Sequence, residues 1–242
     1  MRKSAIFLFF VAFCLTILGL SAQGGIAVSP QTARPKTEAE GKQKPEDSKQ
    51  RPVAKSKVYL LHSDLLRKDA THPDAQIVTG NVRFRHDSVY MYCDSACYYD
   101  KVSSFEAFGN VKMVQGDTLF LYGDRLYYDG LTQIAEMRCN VRMENRTTTL
   151  LTDSLNYDRV YNLGYFFDGG TLMDEQNVLT SEWGEYSPQT KQSVFNYNVK
   201  LVNPQFTLTS DTLRYNTASK VADIVGPSDI WSDANHIYSE RG

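Results

Sequence analysis

The 242-residue sequence has little of what catalytic and metal sites are built from. Its four histidines, His62, His72, His86 and His236, show no spacing typical of metal ligands. No Ser/His/Asp or Cys/His arrangement and no glycine-rich phosphate loop is present. We therefore expect a protein that is not an enzyme and that has no catalytic, metal-binding or cofactor-binding residues.

The sequence also lacks a basic excess. It contains 26 Lys and Arg residues against 28 Asp and Glu residues. If residues 1–22 are removed on export, 24 basic residues remain and the net charge is about −4. A nucleic-acid partner favours a strongly basic face, so we expect no nucleic acid among the partners.

Cysteine is scarce as well. Cys93, Cys97 and Cys139 remain after export, which is an odd number. Cys93 and Cys97 would lie about 13 Å apart on a strand, too far for a disulfide. The three positions have no metal-site spacing either. Small buried thiols are the expectation.

Two N-terminal segments differ from the rest. Arg2 and Lys3 precede an apolar run, residues 6–20, that is short for crossing about 30 Å of hydrocarbon. This pattern predicts a signal peptide over 1–22, cleaved near Ala22, with a membrane anchor as the alternative. Residues 23–57 have almost no large apolar side chain and predict a disordered linker. Residues 58–242 are long enough for one continuous core.

Within that domain, carboxylates and tyrosines recur every 29 or 30 residues. The carboxylates are Asp64, Asp94, Asp124, Asp153, Glu182, Asp211 and Glu240, and the tyrosines are Tyr99, Tyr128, Tyr157, Tyr186 and Tyr215. A fixed period of this length indicates stacked structural units.

Each unit contains two turn signals, for example Gln115-Gly116-Asp117 and Asp129-Gly130. Two reversals per unit predict two antiparallel strands. Apolar residues alternate along each strand, but the phase breaks at a small residue before the carboxylate, as at Gly123. Such a break marks a bend. The predicted fold is all-β, a jelly-roll-like stack of bent antiparallel strands with repeats of 29–30 residues.

The recurring side chains have structural interpretations. Successive carboxylates would lie about 9.5 Å apart and cannot share a calcium ion. We expect them to accept backbone N–H groups at the bend. We expect each tyrosine to cover the core edge with its hydroxyl in water. One inward column is predicted to contain Phe84, Met113, Met143, Met173, Leu201 and Ile230.

Two strand motifs alternate through the domain. One is Gly80-Asn81-Val82, repeated at residues 109–111 and, with cysteine in place of glycine, at 139–141. The other is Asp-x-Leu-x-Tyr-[Asp/Asn] at 124–129, 153–158 and 211–216. Repeated in register, they resemble the OstA/LptA family of organic-solvent-tolerance and lipopolysaccharide-transport domains over residues 58–242. The resemblance implies a periplasmic β-jelly-roll without catalytic residues, whose interior carries lipid A acyl chains.

The resemblance also implies end-to-end assembly toward the outer membrane. The expected partners are lipopolysaccharide or lipid A and other lipopolysaccharide-transport β-jelly-roll proteins, or further copies of the chain joined head to tail. The expected location is the periplasm, with outer-membrane association. The sequence stops within a unit after Glu240, so we expect a fragment or a module that another chain completes.

The candidate lipid-groove residues are Met91, Val111, Met113, Leu121, Val141, Met143, Leu150, Leu179, Val199 and Leu208. An open groove between the sheets favours lipid transport. A filled interior favours the alternative, an exported β-rich structural protein, adhesin or glycan-binding module.

Overall fold

The computed structural model describes residues 56–68, 73–233 and 235–240. The predicted signal peptide and nearly all of the predicted linker lie outside these residues. The described residues contain strands and one 3₁₀ turn, Asp100–Val102, and none of their helices is long and apolar enough to cross a membrane. The strands are β1 Tyr59–His62, β2 Leu65–Lys68, β3 Gln76–His86, β4 Val89–Tyr99, β5 Ser104–Gln115, β6 Leu119–Asp129, β7 Ile134–Asn145, β8 Thr148–Asp158, β9 Leu163–Phe166, β10 Gly170–Asp174, β11 Asn177–Ser181, β12 Trp183–Tyr186, β13 Gln192–Asn203, β14 Phe206–Asn216, β15 Val221–Ile224, β16 Ser228–Ser232 and β17 Asn235–Ser239.

Neighbouring strands pair antiparallel in chain order. β3 to β8 form an uninterrupted meander of long strands. Elsewhere two short strands take the place of one long strand: β9 and β10 both pair with β8, β11 and β12 with β13, and β15 and β16 with β14. The predicted all-β stack of bent antiparallel strands is confirmed.

Every long strand bends near its middle, at what we call the corner. The pairing of β5 with β6 shifts register between Phe108 and Val111, and the other long pairs shift at equivalent positions. Gly109 and Asn110 both have positive φ there, 75° and 46°. Glycine adopts this backbone freely and asparagine tolerates it. A Cβ on Gly109 would also lie 2.5 Å from the carboxylate of Asp94, so the corner needs glycine at this position.

The corner divides the stack into two facing walls. Wall 1 is the half whose strands end at His86, Gln115, Asn145 and Asp174, and wall 2 is the half whose strands end at Asp129, Asp158, Tyr186 and Asn216. The walls pack on each other: the ring of Phe84 in wall 1 stacks on that of Phe105 in wall 2 with centroids 4.2 Å apart. One apolar core therefore runs between the walls along the stack.

The predicted inward column is correct for five of its six members and wrong at Met173. Phe84, Met113, Met143 and Leu201 are buried, and Ile230 packs against the core. In the remaining unit Leu172 points inward, because it pairs with Leu150, while Met173 pairs with the outward Thr149. The interval from Met143 to Leu172 is 29 residues, one fewer than the interval of 30 from Met113 to Met143. Two adjacent apolar residues concealed the change of phase.

The expectation of buried thiols holds for Cys93 alone. Cys93 is buried, Cys97 is half-buried and Cys139 is exposed, and none of these three described cysteines forms a disulfide. Cys139 occupies the corner position of glycine with φ of 64°, so its side chain projects outward. Burial raises the pKa of the Cys93 thiol to about 12, which leaves it unreactive at neutral pH.

Candidate functional site

The ten candidate groove residues lie together on the inner face of wall 1. Each is between 0% and 3% exposed. Period-2 alternation places them there, since β-strand side chains point alternately to opposite faces. Their register aligns them across strands, as Met113 opposite Leu121 and Met143 opposite Leu150.

Wall 2 supplies the other half of the interior, which the set of ten omits. Its buried side chains include Phe105, Ala107, Leu126, Met137, Leu155, Phe166, Phe195 and Leu213. The same alternation continues beyond the corner in the sequence and is the signal that identifies them.

The interior is filled by the side chains of the protein itself. A Cβ on Gly164 in wall 2 would lie 3.4 Å from Sδ of Met143 in wall 1, and the rings of Phe84 and Phe105 stack between the walls. Contacts this short across the core leave no room for a ligand. This filled interior differs from the open groove that the lipid-transport interpretation favoured, so any lipid that enters must separate the walls.

The outer side of the corner contains a ladder of carboxylates and asparagines. Asn110 donates a side-chain hydrogen bond to Asp94 at 2.8 Å, and Asn140 donates one to Asp124 at 2.5 Å. The backbone N–H of Asn140 also donates to Asp153 at 3.1 Å. Asn140 therefore lies between the carboxylates of its two neighbouring strands.

This ladder confirms the expected role of the carboxylates in part. Asp153 accepts a backbone N–H group as predicted, but asparagine side chains are the recurring donors, also at Asn81 and Asn198. The recurring Gly-Asn pair is the sequence signal for this arrangement. Within the described residues, no group of three His, Cys, Asp or Glu side chains is placed to hold a metal ion.

The opposite side of the interior is closed by a second ladder, which we call the seam. It joins the strand ends of wall 1 to the tyrosines of wall 2. Tyr128 hydrogen-bonds with Nδ1 of His86 at 2.7 Å, and Tyr215 donates to Asp174 at 2.8 Å. Between these two rungs, Tyr186 donates to Asn145 at 3.3 Å.

A further seam rung is formed entirely by neutral groups. Gln115 and Tyr157 both donate to the side-chain oxygen of Asn162, at 2.8 and 3.2 Å. Gln115 donates through its side-chain nitrogen, and its single side-chain oxygen has no partner among the described residues. Because buried polar groups without partners destabilise, this rung is less complete than its neighbours.

Cations from the wall 2 turns complete three of the four rungs. Arg159 donates to His86 at 3.1 Å and also contacts Tyr128. Lys191 donates to Asn145, and Lys220 lies 2.6 Å from Asp174.

The buried tyrosines differ from expectation in two respects. Tyr98, rather than Tyr99, is the buried member of the first unit and donates to the carbonyl of Val58 at 2.7 Å. The hydroxyls also have protein partners and do not lie in water. Burial raises the pKa of Tyr128 to about 12, although Arg159 acts in the opposite direction. The tyrosines are therefore neutral hydrogen-bonding groups at neutral pH.

The outer face of wall 1 has a shallow groove of about 860 Å³ beside the corner. Lys112, Tyr122 and Arg142 border it on one side, and the corner carboxylates Asp124 and Asp153 border it on the other. Arg142 lies 4.4 Å from the centroid of Tyr122. The groove combines an aromatic ring with cations, carboxylates and amides, and two of the ten candidate residues, Val111 and Val141, are among the residues that line it.

Both ends of the stack expose apolar side chains on edge strands. Tyr59 and Leu65 are exposed at the N-terminal edge. Ile237 and Tyr238 are exposed on β17 at the C-terminal edge. Unpaired N–H and C=O groups on such strands can pair with another chain.

Comparison with known proteins gives one family match. The family model described as OstA-like protein matches residues 55–211, more than half of the chain. A search of the curated proteins finds no match. Among solved structures, the chain is similar to LptH of Pseudomonas aeruginosa, described as the LptA homologous periplasmic component of the conserved lipopolysaccharide transport device. The identity is 12%, the match covers 64% of this chain and 95% of LptH, and the TM-score of 0.26 is too low for a comparison of sites.

Proposed function

The chain belongs to the family of OstA-like proteins, and from this membership we propose that it is a periplasmic component of lipopolysaccharide transport. Its role is to hold acyl chains between the two walls and to pass them along a bridge toward the outer membrane. The ten residues on the inner face of wall 1, with their counterparts on wall 2, form the surface that contacts the chains. No chemical step on the lipid is part of this role.

The observation that carries the proposal is the difference between the two sides of the interior. At the corner the backbone of each long strand runs from one wall to the other. At the seam the walls are joined by side-chain hydrogen bonds, as at Tyr128 and Tyr215. The walls can therefore separate along the seam without breaking a backbone ladder, and the corner acts as the hinge.

Apolar burial supplies the affinity. Each methylene moved from water into the interior contributes about 0.8 kcal/mol, so partial insertion of a chain offsets the loss of several seam hydrogen bonds. Complete burial of several chains would bind too tightly for transfer to the next protein. Partial insertion along an opened seam fits a carrier that must also release its ligand.

The proposal is tested by crosslinking in cells. A photo-reactive residue at Leu179, on the inner face, should capture lipopolysaccharide, whereas one at the adjacent outward Thr180 should not. Mass spectrometry of the purified exported protein should find the co-purified lipid. Absence of capture at Leu179, with no lipid in the purified protein, would contradict the role.

The exposed strand edges support head-to-tail assembly, either with further copies or with another β-jelly-roll protein. Pairing between β17 and the β1–β2 edge joins different surfaces and therefore builds an open chain of subunits. Tyr238→Pro should weaken association because proline removes a backbone donor and is poorly accommodated in a paired strand. Tyr238→Thr keeps the donor and serves as the control. Sedimentation of a strict monomer at high concentration, with no crosslinked partner in cells, would exclude this assembly.

The outer groove favours a second candidate, an exported glycan-binding module. Tyr122 offers an aromatic ring, and the carboxylates and amides of the corner offer planar hydrogen-bonding groups. Tyr122→Ala should abolish retention on immobilised polysaccharide if the groove binds sugar, whereas Tyr90→Ala, elsewhere on the outer face of wall 1, should not. Retention that is unchanged in Tyr122→Ala would remove this candidate.

A further inference from the structure

The seam rung at Asn145 differs from the other two rungs that contain a turn cation. Asn145 is buried, and its side-chain oxygen accepts hydrogen bonds from Lys191 and Tyr186. The next residue is the exposed Arg146. Among the described residues, no carboxylate lies within ion-pair distance of either Lys191 or Arg146. Lys191 therefore has only a neutral acceptor at its rung, and a second cation, Arg146, directly follows that acceptor in the chain.

The rung at Asp174 shows the contrasting arrangement. Its cation, Lys220, lies 2.6 Å from Asp174 and 3.3 Å from Glu175. Although burial opposes it, these two carboxylates raise the pKa of Lys220. For Lys191, burial and the charge of Arg146 both lower the pKa. Among the described residues, the ammonium of Lys191 thus lacks an anionic partner, whereas that of Lys220 has two.

The backbone fixes the position of Lys191. Its φ is 64°, its N–H donates to the carbonyl of Ser187 at 2.9 Å, and its own carbonyl accepts the N–H of Thr217 at 2.9 Å. A residue held on both sides keeps its side chain directed across the seam, so a cation is presented there without further ordering cost.

We propose that Lys191 and Arg146 bind the phosphate group of an acylated, phosphorylated lipid, and that this binding opens the seam at Asn145. The inference rests on the proposed lipid-carrying function and specifies where the headgroup docks. The proposed ligand is a phosphate attached to acyl chains, not free phosphate.

The exchange of hydrogen-bond partners explains the opening. A phosphate oxygen carries a negative charge, so it attracts an ammonium or guanidinium by a Coulomb interaction that the neutral amide oxygen of Asn145 does not offer. When Lys191 turns to the phosphate, Asn145 keeps only the 3.3 Å bond from Tyr186 and the bond that it donates to the carbonyl of Thr118. The seam then parts next to Met143 and Leu150, which the acyl chains reach first.

The phosphate dependence of lipid binding tests this inference. The exported full-length protein is titrated calorimetrically with dioctanoyl phosphatidic acid, with dioctanoylglycerol and with inorganic phosphate. Lys191→Gln and Arg146→Gln should each weaken phosphatidic acid binding by about tenfold, because each removes one charge-assisted bond. Neither should weaken dioctanoylglycerol binding. Lys101→Gln, a turn cation already paired with Asp74, should change neither.

Hydrogen exchange supplies the readout of opening. Phosphatidic acid should raise exchange in the β7–β8 and β12–β13 turns of the parent protein and not in Arg146→Gln, whose exposed side chain can be replaced without disturbing the fold. If inorganic phosphate binds as tightly as phosphatidic acid, or if the variants bind all probes as the parent does, the headgroup site is wrong while lipid binding stands. If the parent binds neither lipid probe, the proposed function itself fails.

Discussion

The corner and the seam are both ladders of polar side chains, one on each side of the same apolar interior. At the corner, the partners such as Asn140 and Asp124 are exposed, and the backbone passes through the ladder. At the seam, partners such as Tyr215 and Asp174 are buried, and only side chains cross from wall to wall. Similar hydrogen bonds therefore have different structural roles at the corner and at the seam.

Burial and connectivity explain this difference. An exposed hydrogen bond competes with water and contributes little, so the corner is held by its covalent backbone. A buried hydrogen bond cannot be replaced by water until the walls part, so the seam is held by side-chain chemistry. The corner is consequently a hinge and the seam an edge that ligands can open.

The largest effect should come from breaking the interior that both ladders enclose. Leu150→Asp places an unpaired charge opposite Met143 and Leu172 and should destabilise the fold by several kcal/mol. The adjacent Leu151 points outward, so Leu151→Asp should have an effect below about 0.5 kcal/mol. Thermal melting compares the two. Equal melting temperatures for Leu150→Asp and the parent would show that the inner face is assigned incorrectly.

The next effect should come from the strongest seam rung. Asp174 is fully buried, and Asp174→Asn removes the charge that holds Lys220. Because part of Lys220 reaches solvent, we expect a loss of about 2 kcal/mol, less than for a completely buried pair. Glu175→Gln changes the exposed carboxylate on the same lysine and should lose less than about 0.5 kcal/mol. Urea unfolding measures the loss of stability in both variants. Similar losses would mean that a buried carboxylate at the seam stabilises the fold no more than an exposed one.

Acid should open the seam at His86 and leave the corner unaffected. Burial, together with Arg159, lowers the pKa of His86, although Asp87 and the carbonyl of Ser56 act in the opposite direction. The unfolded chain therefore takes up a proton at a higher pH than the folded protein. The contribution of His86 to the free energy of unfolding is complete above about pH 6.5, the pKa of the unfolded chain. It is lost as the pH falls from there toward the lower pKa of the folded protein.

Urea unfolding at pH 7.5 and pH 5.0 checks this prediction. The parent should lose more stability between the two pH values than His86→Gln, which keeps a polar group at the seam but cannot titrate there. The difference between these two losses of stability should be smaller than the loss caused by Asp174→Asn, because it reflects the protonation of a single side chain. An equal loss in both proteins would assign the acid sensitivity to other groups.

The periodicity of the sequence is sufficient to predict the stack of strands and the inner face of wall 1, because each repeat places like residues in the same register. The seam could not be predicted in this way. The hydrogen bonds of Tyr128, Tyr186 and Tyr215 join residues 41 or 42 positions apart, and this separation is not a multiple of the repeat. It reflects how far one wall is offset from the other, which no local pattern encodes.

Adjacent like residues explain the local errors. Tyr98 and Tyr99 are both tyrosine, and Leu172 and Met173 are both apolar, so the pattern permits either phase. Packing selects Tyr98 and Leu172, because those side chains meet the opposite wall. The bend of β5 causes no phase break in the sequence, because Ala107 and Val111 are four positions apart and the alternation continues across Gly109 and Asn110.

The smallest effect should come from the corner, where backbone conformation and hydrogen bonding can be separated at Asn140. Its φ is 53°, and its side chain donates to Asp124. Asn140→Ala removes the hydrogen bond and also forces alanine into the left-handed region, so about 1 kcal/mol should be lost. Asn140→Gly removes the same hydrogen bond but adopts this backbone freely, as Gly169 does at the equivalent position in the next unit, so the loss should be within about 0.5 kcal/mol. Urea unfolding of the two variants decides whether the corner depends on its backbone. If glycine destabilises as much as alanine, the asparagine–carboxylate bonds hold the corner, and the contrast with the seam disappears.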